Sequence, residues 1–236
     1  MKISSNDLYT SGEYFKNNPT WDIADAGWKT DVIVDLLKRN NISVTDVIEI
    51  GCGAGANLAE LAKKDESIKK LRGYDISPQA IELAIKNVSD RITFFNEDLA
   101  ANENITADLM LVIDVVEHVD DYYGFLRKLK TKADHFIFHI PLDLSGRTIM
   151  KPHVMLQQRQ SVGHIHYYTR EMVEWALQDT SYEIIDWIYT KPVVDIMPAD
   201  SLKRCVKKIL RNISFALNKD WSAKKWGGYS MMILAK

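Results

Sequence analysis

Asp46-Val47-Ile48-Glu49-Ile50-Gly51-Cys52-Gly53-Ala54-Gly55 is a short apolar run that breaks into three alternate glycines. Val47, Ile48 and Ile50 supply a strand. The glycines supply a tight turn, because a residue without Cβ takes positive φ and lets a ligand approach the main chain. Ala56-Asn57-Leu58-Ala59-Glu60-Leu61-Ala62 continues as a helix. Strand, glycine turn and helix N-terminus together make a nucleotide-type binding corner. A turn that serves packing alone does not require three alternate glycines, each of which costs backbone entropy.

Two chemistries use such a corner. The dinucleotide pattern G-x-G-x-x-G/A is met by Gly51, Gly53 and Ala56, with Asp75 placed for the ribose. The spacing Glu49-x-Gly51-x-Gly53-x-Gly55 fits better elsewhere: it resembles motif I of the class I S-adenosylmethionine (SAM) dependent methyltransferases, small-molecule branch. An acid just before the turn repels a pyrophosphate. It suits the cationic end of SAM, which carries a sulfonium and an amino acid but no phosphate. The resemblance implies SAM as cofactor, S-adenosylhomocysteine as product, and cofactor contacts from Glu49, Gly51, Cys52, Gly53 and Gly55.

The following segments fall in the order that the resemblance requires. Lys70-Leu71-Arg72-Gly73-Tyr74-Asp75 reads as a second strand ending in an acid, followed by Ile76 and by Ser77-Pro78, a cap and first-turn proline. A carboxylate at that strand end offers two acceptor oxygens to two ribose hydroxyls, so Asp75 with Ile76 is assigned to the cofactor. Arg91 to Phe95 is a third strand; after it Asp98 and Leu99 are assigned to adenine, with Glu97 competing for the acid's role. Ala107 to Ile113 is nearly continuous in apolar residues and reads as a central parallel strand. It ends in Asp114-Val115-Val116-Glu117-His118-Val119, wording similar to the same branch, which implies Asp114 and His118 beside the methyl donor. Asp134 to Ile140, Tyr182 to Tyr189 and Gly228 to Ala235 complete the strands. Strand and helix patterns alternate, with an antiparallel pair at the end. The expected fold is therefore α/β: a Rossmann-like, doubly wound, seven-stranded sheet, mostly parallel with an antiparallel last strand.

Three additions to that core are expected to shape the substrate. The arm from Tyr9 to Lys29 precedes the first strand and is free to fold over the cofactor, with Trp21 as an apolar wall, Lys29 as partner of the methionine carboxylate, and Tyr14 toward the substrate. Residues 141–168 contain Arg147, Arg159 and Tyr167, assigned to substrate, and the phrase Gly163-His164-Ile165-His166-Tyr167-Tyr168-Thr169. Similar glycine-histidine phrases in the resembled branch lie beside the methyl acceptor. If the segment is extended, His164 and His166 point the same way, and either is suited to act as base because imidazole titrates near neutrality. Without an obvious third ligand the pair is not read as a metal site, so no metal is expected and activity should survive chelation. The third addition, residues 193–227, holds Leu202, Val206, Ile209, Leu210 and Ile213 at helical spacing, beside Lys203, Arg204, Lys207, Lys208 and Arg211. Such a helix is expected to bury its apolar stripe on the body and present a basic face.

Composition is consistent with this reading and excludes other classes. The chain has 236 residues, 46 % hydrophobic and 26 % charged, which is globular rather than disordered. A formal charge of −2 is no nucleic-acid footprint. Two cysteines in unrelated contexts form no disulfide framework. The first residues lack a signal-peptide core and no run is long enough to span a bilayer, so a cytoplasmic protein without stable membrane association is expected, as monomer or homodimer. One domain over 1–236 is expected, with an arm and helix in 1–45 and the SAM-binding half in 46–140. No Asn/Asp-Pro-Pro-aromatic run of DNA amino-methylating enzymes is present, nor a Pro-Cys nucleophile, nor a Tyr-x-x-x-Lys dehydrogenase pair. The expected function is methyl transfer to an oxygen or nitrogen of a small polar metabolite, such as a surface-glycan or secondary-metabolite precursor. An RNA methyltransferase and an NAD-dependent oxidoreductase are the alternatives.

Overall fold

In a computed structural model that describes residues 9–21, 23–102, 104–196 and 200–236, seven strands form one sheet. They are β1 (Asp46–Ile50), β2 (Lys70–Tyr74), β3 (Ile92–Phe95), β4 (Ala107–Ile113), β5 (Ala133–Pro141), β6 (Ile184–Thr190) and β7 (Ser230–Ala235), in the order β3-β2-β1-β4-β5-β7-β6. β1 pairs in parallel with both β2 and β4, whereas β7 runs antiparallel to both β5 and β6. The chain moves from β1 outward to β3, then returns to place β4 on β1's other side. That reversal opens a crevice at the carboxyl ends of β1 and β4, where doubly wound sheets bind ligands.

Both faces of the sheet are covered, which is why its strands are apolar without strict alternation. Ile48, Ile50, Met110, Val112, Phe136 and Phe138 bury one face, with Leu126 and Leu129 from helix Tyr122–Leu129 and Val173 and Leu177 from helix Arg170–Asp179. Val47, Leu71, Leu109, Leu111 and Ile137 bury the other, against Ile33 and Leu36 of helix Ala26–Arg39 and Leu58 and Leu61 of helix Ala56–Lys64. Successive residues of β1 and β4 thus go to opposite clusters, as the pleat demands.

The segment 141–168 carries its own helices, Gly146–Met150 and Pro152–Ser161. In the last addition, helix Leu202–Leu217 forms as its spacing predicts, but its apolar stripe is not buried. Leu202, Val206, Ile209, Leu210 and Ile213 are all exposed. The helix is rotated by two stronger claims on its inner face. Arg211 is buried and donates to the carbonyls of Gly227 at 2.5 Å and Trp226 at 3.1 Å, and Phe215 stacks on Tyr229 with centroids 5.3 Å apart. The approach to this helix through Met197, Pro198 and Ala199 lies outside the described residues. No helix among the described residues is long and apolar enough to cross a membrane.

Candidate active site

The glycine turn is built as its sequence demands. After β1 the amides of Gly51 and Cys52 both reach the carbonyl of Tyr74, at 2.8 and 3.1 Å, and Gly55 closes on the carbonyl of Cys52 at 2.9 Å. Gly53 takes φ 53°, and a Cβ there would lie 2.4 Å from the Trp21 indole, so the arm packs directly on the turn. Gly55, at φ 73°, is the residue before helix Ala56–Lys64, and a Cβ on it would strike Phe94.

Asp75 stands at the end of β2, 7 % exposed. Its Oδ2 accepts from the Gly53 amide at 2.9 Å and its Oδ1 from the Ser77 amide at 2.8 Å. Burial raises its pKa, and those two amides work against the rise. The carboxylate thereby holds the glycine turn and the start of the next helix while lining the cavity beside Ile76.

Glu49 does not line the cavity. It lies behind the turn, 1 % exposed, with one oxygen accepting from Asn57 Nδ2 at 2.7 Å and the other without a partner. Burial pushes its carboxyl up to about 8, opposed by the Asn57 bond and the charge of Lys29. Asn57 itself faces the cavity, so the acid's influence on a ligand passes through the amide it orients.

At the end of β4, Asp114 adopts φ 53°, a strained region for a residue other than glycine. Its Oδ2 meets Lys29 Nζ at 2.8 Å and its Oδ1 meets His139 Nδ1 at 2.7 Å. His139 is fixed in turn by Thr190 Oγ1 at 2.9 Å. Burial disfavours the carboxylate, but His139 and Lys29 outweigh it and hold Asp114 well below the usual carboxylate range. Lys29 is conversely raised, because Asp114 and Asp25 overcome its own burial. The lysine expected to meet a ligand carboxylate is thus paired within the protein.

Beyond Asp114 lies a second polar group. Glu117 is fully buried and neither of its oxygens has a hydrogen-bond partner. His118 Nε2 and His164 Nε2 each lie 3.9 Å from its Oε1. The far nitrogens are occupied: His118 Nδ1 bonds the Gly163 carbonyl at 3.0 Å and His164 Nδ1 bonds Asp143 Oδ2 at 2.7 Å. Burial pushes the Glu117 carboxyl up to about 8, with Asp114 adding to the rise. Burial also lowers His118, to about 4, with His164 contributing.

The two histidines of the Gly163 phrase do not point the same way. His164 faces this cluster, whereas His166 turns to the Val119 carbonyl at 2.9 Å and packs edge-on against Tyr122. The backbone is not a regular strand here, because Ile165 and His166 both donate to the carbonyl of Glu117. Tyr167 also stays out of the cavity, its hydroxyl donating to the carbonyls of Met155 at 2.8 Å and His164 at 3.1 Å.

A cavity of about 770 Å³ joins these parts. Its wall brings together Tyr14, Trp21, Lys29, Gly51, Cys52, Gly53, Asp75, Ile76, Asp98, Leu99, Asp114, His118 and His164. Gly55, Glu49, His166, Tyr167, Arg147 and Arg159 are not in that wall; Arg147 lies along a separate hollow beside helix Leu202–Leu217. Tyr9, Asn57, Glu117 and His139 are wall residues that sequence reasoning did not single out as site residues. The local phrase Glu117-His118 was visible, but nothing in it marked Glu117 as the buried member.

Comparison with known proteins identifies the family and the fold. A family model described as a methyltransferase domain matches residues 25–186. The chain belongs to the class I SAM-dependent methyltransferases. Among relatives, a protein named for N5-glutamine methylation of proteins from Methanocaldococcus jannaschii is 32 % identical over 123 residues, 45 % of this chain and 60 % of that one. The mitochondrial ubiquinone biosynthesis O-methyltransferase of Schizosaccharomyces pombe is 27 % identical over 113 residues, 44 % of this chain and 40 % of that one. The chain therefore aligns with about half the length of these relatives. Magnesium protoporphyrin IX methyltransferase from Synechocystis PCC 6803, solved with bound S-adenosylhomocysteine, shares the fold at TM-score 0.64 and 17 % identity, over 98 % of this chain and 96 % of that one. The residues present fit the family's cofactor: one cavity runs from the Gly51–Gly53 turn along Asp75 and Ile76 to Asp98 and Leu99.

Proposed function

We propose that this protein transfers the methyl group of SAM to an oxygen or nitrogen of a small polar acceptor held beside Glu117, His118 and His164. One observation carries the reading: a single cavity connects the Gly51–Gly53 turn and Asp75 with that polar cluster. In this reading Asp75 accepts from both ribose hydroxyls, Asp98 and Leu99 meet adenine, and Trp21 with Tyr14 walls the cofactor from the arm. Asp114, already held by Lys29 and His139, orients the methionine end.

SAM brings the electrophilic methyl, and the protein's task is to align it with the acceptor. Holding two reactants in line supplies much of the acceleration in a bimolecular displacement. The sulfonium charge vanishes as the methyl moves, so anionic groups pressed on the sulfur would favour the ground state and slow the step. Glu49 suits that constraint by lying behind the turn. A hydroxyl acceptor must lose a proton, and the cluster around His164 lies where such a proton would leave. The acceptor we favour is a precursor of a surface glycan or secondary metabolite.

The test is direct. SAM and its demethylated product should raise the melting temperature, while NAD and RNA should not. Labelled SAM should then pass its methyl to members of a panel of polar hydroxy and amino metabolites. Stabilisation by NAD alone would refute the assignment.

A further inference from the structure

Glu117, His118 and His164 turn a carboxyl oxygen and two ring nitrogens toward one another. A carbonyl oxygen only accepts, so the bond to Gly163 requires the His118 proton on Nδ1 and leaves a lone pair on Nε2. Asp143 sets His164 the same way in its neutral form. Both Nε2 atoms face Oε1 of a carboxyl group whose two oxygens lack hydrogen-bond partners and which is fully buried. The separations of 3.9 Å are too long for hydrogen bonds. A proton or a metal ion placed among the three atoms relieves that convergence, and the geometry of the surrounding contacts distinguishes the two.

We propose that these three side chains bind a divalent cation of the zinc class. Their ligand atoms lie within 4.8 Å of one another. Ligand atoms around a tetrahedral zinc with bonds of about 2.1 Å stand roughly 3.4 Å apart, so modest inward movement of the side chains completes the site. The outer contacts have the form that metal-bound imidazoles require: one donates its second nitrogen to a carbonyl and the other to a carboxylate. The two segments carrying the ligands are tied by backbone bonds from Ile165 and His166 to the Glu117 carbonyl. Two nitrogens and one carboxylate favour zinc or a neighbouring transition ion over magnesium.

All three ligands border the central cavity, so the remaining coordination positions open toward it. Three protein ligands and an open position define a reactive rather than a purely structural site. Its role rests on the function proposed above. A hydroxyl acceptor ligated there would be acidified. Its proton passes to water, its oxygen forms the bond to the methyl carbon, and the carbon–sulfur bond breaks to leave neutral S-adenosylhomocysteine. His164 then serves as ligand rather than base.

The experiment starts with the chelated 236-residue chain. Added Zn2+ should raise the melting temperature and remain bound at one equivalent after gel filtration, and Co2+ should give the visible absorption of a four- or five-coordinate ion. Mg2+ should do neither. Glu117→Gln and His164→Asn should abolish retention. Asp143→Asn, which spares all three ligands, should weaken metal binding about 10–100-fold. Asp75→Ala should keep the metal while weakening SAM binding. Absence of any Zn2+ or Co2+ effect on the wild-type protein overturns the proposal, as does equal retention by Glu117→Gln. SAM titration of the same chelated sample separates the two readings, since SAM binding without metal leaves the methyltransferase assignment standing.

Discussion

Lys29 Nζ stands 2.8 Å from Asp114 Oδ2 and 2.9 Å from Asp25 Oδ2, joining the arm's helix to the carboxyl end of β4. The contact fixes the strained Asp114 backbone at the crevice. Lys29→Met leaves that carboxylate with His139 as its remaining side-chain partner. The side chain of Asp114 keeps 32 % exposure, so the loss should be about 2 kcal/mol, below the ~3–5 kcal/mol of a fully buried pair. Chemical denaturation measures it. A denaturation midpoint equal to wild type would mean that the pair does not anchor the helix.

Asp75→Ala should weaken SAM by about 1.5–3 kcal/mol, roughly 10–150-fold, because bonds to a charged acceptor are lost. Part of the loss comes from the turn, since Asp75 also holds the Gly53 amide. Calorimetry showing wild-type affinity would remove Asp75 from the ribose.

Glu49 makes stability depend on pH. Its folded pKa is raised, so the unfolded chain ionises it from about 4.5 while the folded chain holds the proton to about 8. Its contribution is fully present below the lower value and is lost as pH rises through the upper one. Between pH 5 and 7 the ligand-free protein should lose roughly 1–3 kcal/mol from this group. Glu49→Gln stays neutral throughout and should flatten that slope. The decisive comparison is melting temperature against pH for the two proteins, and parallel curves would refute the assignment.

The two histidines of the Gly163 phrase should separate on mutation. His164→Asn should remove most turnover with SAM affinity nearly intact. His166→Asn, outside the cavity wall, should change kcat little and act through the Val119 contact. Steady-state kinetics with saturating SAM distinguishes them, and the reverse pattern would move the acceptor to the other side of the loop.

Arg211 and its basic neighbours should also differ. Arg211→Met deprives the carbonyls of Trp226 and Gly227 of their donor and should cost about 1.5–3 kcal/mol. Charge reversal at Lys203, Lys207 and Lys208 should leave methyl transfer to a small acceptor largely unchanged. Salt-sensitive RNA binding abolished by that triple variant would argue for a nucleic-acid acceptor instead.

Local sequence was enough to specify the fold and several residues along one wall of the cavity. Alternate glycines, an acid at the end of β2 and apolar runs of strand length act through backbone geometry and burial within a few residues, so Gly51, Gly53, Asp75 and Asp114 are legible in the sequence as cavity-lining positions. Helix formation over Leu202–Leu217 was legible for the same reason, but its rotation was not. That depended on carbonyls at Trp226 and Gly227 and on the Tyr229 ring, which a helical period does not contain. The polar cluster at the other end of the cavity depended wholly on tertiary structure. Glu117 and His164 lie far apart in the chain, and backbone bonds from Ile165 and His166 bring them together. The same bonds turn His164 inward and His166 away, overriding the alternation expected of an extended segment. Lys29 met Asp114 rather than standing open for a ligand, because a buried ammonium is held where carboxylates already converge. Sequence spacing specifies which side chains share a face of one element; which faces meet, and which charges thereby neutralise each other, is decided when the elements pack.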